Sequence, residues 1–284
     1  MSCEGCANAS SCSSKDKENC GSNKGIKLLD LAKGSKVKKI IGISSGKGGV
    51  GKSFITSYIA KEMAKAGYKV GILDGDILGP SIPRSFGLSD NNKIVSDENG
   101  LMIPMESELG IKIMSSNLLL EDETTPIIYR GVLISGILQQ FYSETNWGDL
   151  DFLFIDMPPG TGDVPLTVYQ MIPIDKVIIV TSPQNLVSMI VGKSINMAKT
   201  MNKDILGIVE NMSYVECPKC KEKIEVFGVS NIDEVADQNM IEVLAKVPLR
   251  KEVSELVDCG RIEQVDVKEL NSINNKLIDL LKGK

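Results

Sequence analysis

The 284-residue chain contains no histidine at all. With no imidazole available, proton transfer and metal binding fall to carboxylates, lysines and thiols. Long apolar runs are missing too: none approaches the roughly 18–20 residues that span a bilayer. The N-terminus is polar and lacks the apolar stretch of a secretory signal. These absences predict a cytoplasmic protein with no membrane partner. There is no excess of cations either. Against 37 Asp and Glu stand 32 Lys and Arg, a net charge of −5, which argues against a general nucleic-acid binder. No internal repeat is found, and no linker divides residues 25–284.

What the chain does have is cysteine in clusters. Four of its seven cysteines, Cys3, Cys6, Cys12 and Cys20, fall in the first twenty residues, Cys217 and Cys220 form a CxxC, and Cys259 stands alone. In a reducing compartment, grouped thiols point to metal before disulfide. Residues 1–24 are rich in Ser, Asn, Gly and Cys without apolar periodicity, and are expected to form a tail.

From Lys38 onward the pattern is that of a core. Apolar runs of strand length occur at Ile40–Ile43, Val70–Leu73, Ile111–Met114, Phe152–Ile155, Val177–Val180, Ile205–Val209 and Leu244–Val247. Helical spacing lies between most of them, at Ser53–Ala66, Gly131–Tyr142, Val187–Met201, Ile232–Asn239 and Val267–Leu281. Continuous apolar strands alternating with helices predict an α/β fold with a mostly parallel central sheet covered on both faces. Residues 25–284 are expected to be one domain.

The first strand runs into GKGGVGKS, Gly46–Ser53, and then directly into a helix. This satisfies G-x-x-x-x-G-K-[ST] in its strand–loop–helix setting. Gly46, Gly48, Gly49 and Gly51, with Val50 among them, let backbone N–H groups face bound phosphates at the positive end of the helix. Lys52 brings a point charge to the β- and γ-phosphates, and the Ser53 hydroxyl is placed to ligate Mg²⁺ beside ATP. Two further strands end in carboxylates, in DGDILGPS (Asp74–Ser81) and DMPPGTGD (Asp156–Asp163). In a parallel sheet both emerge where ligands bind. Asp156 is expected to hold Mg²⁺ through water and Asp76 to orient the attacking water, while Asp74 reads equally as a helix N-cap.

The second lysine of the loop, Lys47, makes it GKGG-x-GK[ST], which resembles the deviant Walker A class that includes MinD, ParA and nitrogenase iron protein. That resemblance implies a homodimer in which Lys47 reaches the partner's phosphates. Together, GKGGVGKS, DGDILGPS, DMPPGTGD, VTSPQ (Val180–Gln184), VENMSYVECPKC (Val209–Cys220) and VFG (Val226–Gly228) resemble the Mrp/ApbC iron–sulfur carrier family. The resemblance implies that Asn211 reads the adenine edge, that apo iron–sulfur proteins are the recipients, and that Cys217 and Cys220 hold a bridging 4Fe–4S cluster.

Two thiolates two residues apart are half of a Cys₄ set. No second CxxC completes it within residues 25–284, but a two-fold dimer would. The spacing alone suits zinc, and the family resemblance reverses that order. In the tail, C-x2-C-x5-C at Cys3, Cys6 and Cys12 resembles the last three cysteines of the N-terminal motif in the eukaryotic cytosolic branch. That branch's first cysteine lies further upstream, and Cys20 is the candidate replacement. A second cluster there and a Cys-rich arm that recruits iron or a partner both fit the pattern.

The competing reading is a MinD/ParA-like positioning ATPase with a structural zinc site. It would need an amphipathic membrane helix or a basic DNA-binding face. Leu270, Ile273, Leu277, Ile278 and Leu281 have instead the spacing of a helix packed on the domain, and a net charge of −5 offers no obvious basic face.

Overall fold

In the computed structural model, residues 28–77, 79–88, 95–116, 131–183 and 187–283 are described. Strand β1 (Lys36–Ser44) is exposed where it begins and fully buried over its last five residues. It leads through the glycine loop into helix α1 (Lys52–Lys65). Strand β2 (Val70–Asp74) is buried at every position, as a central strand with both faces covered must be. The short helix α2 (Ile82–Ser85) follows, then β3 (Met105–Glu106), β4 (Lys112–Met114) and helix α3 (Gly131–Ser143). The second half of the chain continues the alternation: β5 (Asp149–Asp156), α4 (Asp163–Met171), β6 (Lys176–Thr181), α5 (Val187–Thr200) and β7 (Asp204–Glu210). After a two-stranded hairpin, β8 (Val215–Glu216) and β9 (Lys223–Ile224), come α6 (Ile232–Asn239), β10 (Val243–Lys246), α7 (Lys251–Asp258) and α8 (Asn271–Leu281).

Eight of these strands form one sheet in the order β10-β7-β6-β1-β5-β2-β4-β3. Every neighbouring pair is parallel except β3 with β4 at the edge. Side chains alternate between faces with the period of two that a pleated strand imposes. Ile41, Ile43, Ile72, Phe152, Phe154, Ile178 and Val180 pack with Ile55, Tyr58 and Ile59 of α1 and with Ile273 and Leu277 of α8. Ile40, Leu73, Leu153, Ile155, Val177 and Ile179 point the other way, onto α3, α4, α5 and α6. Each such burial contributes roughly 1.5–3 kcal/mol, so the fold rests on this two-sided core. It does not need its cysteines to hold it.

All seven apolar runs read from the sequence are strands of this sheet. The expected helix over Val267–Leu281 begins later. Residues Lys268–Leu270 are a 3-10 turn and α8 starts at Asn271. Val267 cannot join it, because the Tyr58 hydroxyl accepts from Val267 N–H at 2.9 Å and donates to Val267 C=O at 3.0 Å, holding that residue extended. The hairpin β8–β9 gave no periodic signal because each strand has only two residues.

β1 is flanked by β5 on one side and β6 on the other, so the chain's strand order reverses around it. In an open parallel sheet this point, at the carboxyl ends of the strands, is where a crevice forms.

Candidate functional site

The glycine loop sits at that crevice, and its glycines are required for different reasons. Gly49 and Gly51 are left-handed, with φ of +78° and +80°, where a side chain costs free energy. A Cβ on Gly51 would lie 2.1 Å from Asn211 Nδ2. Gly46 is constrained by packing, since a Cβ there would lie 2.3 Å from Ile190 Cγ2 and 2.7 Å from its carbonyl oxygen on α5. Gly48 has neither constraint.

Asp156 ends β5 fully buried, and three side chains of α1 converge on it. Ser53 Oγ donates to its Oδ2 at 2.6 Å, and Thr56 Oγ1 to its Oδ1 at 2.7 Å. Lys52 Nζ lies 2.7 Å from Oδ2 as an ion pair, yet this buried ammonium has no aligned hydrogen-bond acceptor. Thr56 was not singled out from the sequence. The available signal was its position four residues after Lys52, which puts both on one face of α1.

Asp74 is the in-register neighbour of Asp156 across the β2–β5 ladder. It is buried, and accepts from Ser115 Oγ at 3.0 Å and from the Asp76 N–H at 3.2 Å. The local bond to Asp76 N–H is cap-like, but no helix begins there. Burial first, and then the negative charge of Asp156, push the Asp74 carboxyl up to about 7. Asp76 is also raised, chiefly by burial; Lys52 opposes the shift and Asp156 adds to it.

A cavity of about 340 Å³ opens over the loop, lined by Lys47 through Phe54 together with Asp76, Gly79, Ser81 and Pro159. A second, of about 170 Å³, adjoins it and is more apolar: Met212, Pro248, Leu249 and Val253 line it with Asn211 and Arg250. Gly51, Phe54 and Val257 belong to both. The first has the lysines and backbone amides that suit phosphates, and the second the flat apolar walls that suit a base. Asn211 stands at the junction, where its Nδ2 donates to Val50 C=O at 3.0 Å. The structure thus brings Lys47, Lys52, Ser53, Asp76, Asp156 and Asn211 to one place.

Cys217 and Cys220 lie apart from these cavities, in the turn of the β8–β9 hairpin. The turn is closed by Cys217 N–H to Glu222 C=O at 2.9 Å and Lys221 N–H to Cys217 C=O at 3.0 Å. Cys217 is half-buried and Cys220 exposed. Backbone N–H groups of Cys220 and then Lys219, followed by the Cys220 thiol, hold the Cys217 thiol below its ordinary range. That favours thiolate, the form that binds metal. Among the described residues no third Cys, Asp or Glu joins them in a metal-binding group. Downstream, Ile224, Val226, Phe227 and Val229 are exposed apolar residues. Cys259 caps α7 and is exposed, so it is no core thiol. Cys3, Cys6, Cys12 and Cys20 lie outside the described residues, as does Gln184.

Comparison with known proteins agrees with this geometry. Residues 36–282 match the family described as ParA: NUBPL iron-transfer P-loop NTPase. The chain is 44% identical over 269 residues to the iron-sulfur cluster carrier protein of Clostridium perfringens, covering 93% of this chain and 94% of that one. It is 43% identical over 248 residues to the protein of the same name from Methanococcus maripaludis, covering 87% and 84%. Among solved structures, a nucleotide-binding protein from Archaeoglobus fulgidus in complex with ADP superposes with a TM-score of 0.72 at 42% identity, over 81% of this chain and 89% of that one. The cell division protein MinD of Aquifex aeolicus, at 22% identity and a TM-score of 0.57 over 87% and 98%, shares the fold.

Proposed function

The chain belongs to the NUBPL iron-transfer P-loop NTPase family, and from that premise we propose that it is an ATP-dependent carrier that holds a labile 4Fe–4S cluster and passes it to apo iron–sulfur proteins. One observation carries the reading: a pair of accessible thiols on a hairpin, in a chain whose sheet crevice is a nucleotide pocket. The iron-sulfur carrier relatives supply the cargo. The cluster is the substrate. Cys217 and Cys220 bind it as thiolates, and recipient thiolates displace them.

Two thiolates are half of what a cubane needs. We therefore take the working unit to be a homodimer that pairs two hairpins around one cluster, with Lys47 reaching the partner's phosphates. A cluster held there is solvent-accessible, as transfer requires. Residues 25–284 act as the ATPase domain and residues 1–24 as a cysteine-bearing tail, in a protein working in the cytoplasm. Among the described residues no helix is long and apolar enough to cross a membrane.

At the nucleotide, the loop amides and Lys52 bind the β- and γ-phosphates, Asn211 reads the adenine edge, and Asp76 orients the attacking water. Ser53 and Asp156 suit Mg²⁺: a hydroxyl and a buried carboxylate that already meet at 2.6 Å beside the phosphate cradle. The ion, when bound, neutralises charge on the phosphates. A MinD-like positioning ATPase would need a free amphipathic helix, but Ile273 and Leu277 of α8 are buried in the core.

The test is anaerobic reconstitution of residues 25–284, which lack the tail cysteines, with iron and sulfide, followed by iron analysis and sizing. Cys217→Ser together with Cys220→Ser is expected to remove the cluster and abolish transfer, with an ATP affinity within about threefold of the cluster-free wild type, since neither residue touches the cavities. A cluster retained by the double variant would sink the carrier reading. So would stoichiometric zinc with no uptake of iron.

A further inference from the structure

Glu210 ends β7 as a fully buried acid, one residue before Asn211, and plays no part in the phosphate cradle. Its Oε2 accepts the Ser213 hydroxyl at 2.5 Å, and its Oε1 accepts the Ser230 hydroxyl. Ser213 and Ser230 bracket the segment that carries Cys217, Cys220 and the hairpin. Ser230 also accepts from the N–H of Ile232 at 3.2 Å, where α6 begins. One buried carboxylate thus ties both ends of the cysteine segment to the end of β7, the strand next to the sheet's edge. A carboxylate in such a place is strongly unfavourable unless its acceptors are satisfied, which makes the two hydroxyl bonds hard to give up.

The same stretch of chain is woven into the base cavity. Val247 N–H donates to Glu210 C=O, Ser213 N–H to Val247 C=O, and Leu249 N–H to Tyr214 C=O, each at 2.8 Å. Val247 and Leu249 line the cavity, as do Asn211 and Met212. Met212 is left-handed, with φ of +57° and no glycine to make that easy. Such strain persists only where surrounding structure imposes it, and it is common at switch points. Here it lies between the residue at the phosphate–base junction and the first serine of the clamp.

We propose that Glu210 is a positioning residue that couples nucleotide occupancy to the cysteine hairpin. A nucleotide in the base cavity bears on Asn211 and Met212. Because Glu210 holds Ser213 and Ser230 together, a shift there moves both ends of the cysteine segment as one, and with it the setting of Cys217 and Cys220. Linkage makes this reciprocal: whatever binds the cysteines alters nucleotide affinity by the same factor. The inference deepens the carrier reading and rests on it for its purpose, but its test needs no cluster.

The full-length reduced protein is alkylated with N-ethylmaleimide, and the rate at Cys217 and Cys220 is followed by peptide mass spectrometry, alone and with saturating ADP or a non-hydrolysable ATP analogue. In the wild type, nucleotide is expected to change that rate by about fivefold or more, the low end of ordinary coupling between sites. Ser230→Ala and Glu210→Gln should bring the ratio near one with nucleotide Kd within about threefold of wild type, and Ser230→Thr should restore it. A wild type without a nucleotide response overturns the proposal, as does a Ser230→Ala protein that keeps one. A nucleotide Kd raised more than tenfold by Ser230→Ala also overturns it, because the clamp would then be part of the pocket itself. The carrier reading fails separately, by iron content, and leaves the thiol rates as they are.

Discussion

Lys52 pairs directly with Asp156, whereas the adjacent Asp74 is held by a hydroxyl and an amide. Two carboxyls side by side in a dry site resist double ionisation. The consequence is measurable. Asp74 rises from 3.8 to about 7 on folding, so between those values the folded chain carries one more proton than the unfolded one. Stability present below about pH 4 is therefore lost as pH rises through about 7. Asp74→Asn should remove this loss. We expect the nucleotide-free variant to be more stable than wild type at pH 8 by on the order of 1 kcal/mol or more, with the gap closing towards pH 4, measured by urea unfolding across that range. A constant difference at all pH values would mean that Asp74 is not the titrating group. Lys52, Ser53 and Asp156 were identifiable from motif and spacing; the role of Asp74 was not, since only strand pairing puts it beside Asp156.

Helix α1 works at both ends. Its first turn carries Lys52 and Ser53, which meet Asp156, and its second half anchors the C-terminal segment. Lys61 is fully buried, lies 4.0 Å over the Tyr58 ring and donates to Val265 C=O. Burial lowers its basicity and the neighbouring Glu62 partly restores it. Tyr58, pushed up to about 12 mainly by burial, stays protonated and bonds both polar groups of Val267, which lines the base cavity. Tyr58→Phe keeps the ring but strands a buried N–H and C=O. The expected cost is about 1–3 kcal/mol in folding, with a several-fold weaker nucleotide Kd and normal cluster loading. Calorimetry and nucleotide titration would check it; unchanged affinity would detach this anchor from the pocket. The helix pattern of α1 is readable from its apolar spacing, but its polar anchors are not, because their partners lie more than 200 residues away.

For the whole molecule, the proposed dimer makes a distinctive demand on mutants. Lys47→Ala should leave nucleotide binding measurable while lowering turnover strongly, and Asp76→Ala should stop hydrolysis. Mixed, the two variants form heterodimers with one site that has Asp76 in its own chain and Lys47 from the other. Recovery of a fraction of wild-type ATPase on mixing is expected; no recovery at any ratio would rule out action across subunits. The tail supplies a second whole-chain prediction. If Cys3, Cys6, Cys12 and Cys20 hold a cluster, removing residues 1–24 should lower reconstituted iron by about two 4Fe–4S equivalents per dimer, with ATPase barely changed. Iron that stays constant would leave the tail as an arm.

By itself the sequence determined the fold class, the strands and the phosphate loop, because these are written locally. Apolar runs of four or five residues alternating with helical spacing fit strands buried on both faces, and GKGGVGKS between a strand and a helix fits a phosphate loop. The CxxC was equally plain, since a pair of thiols two residues apart is read directly from the chain. Tertiary structure alone decided what crosses between elements. It put Asp74 against Asp156 through the β2–β5 register, set Tyr58 under Val267 and so delayed α8, and closed Glu210 onto Ser213 and Ser230. Residues in these contacts are distant in sequence or carry no periodic pattern. Their energies come from burial and from the pairing of polar groups out of water, and neither exists until the sheet and its covering helices have assembled.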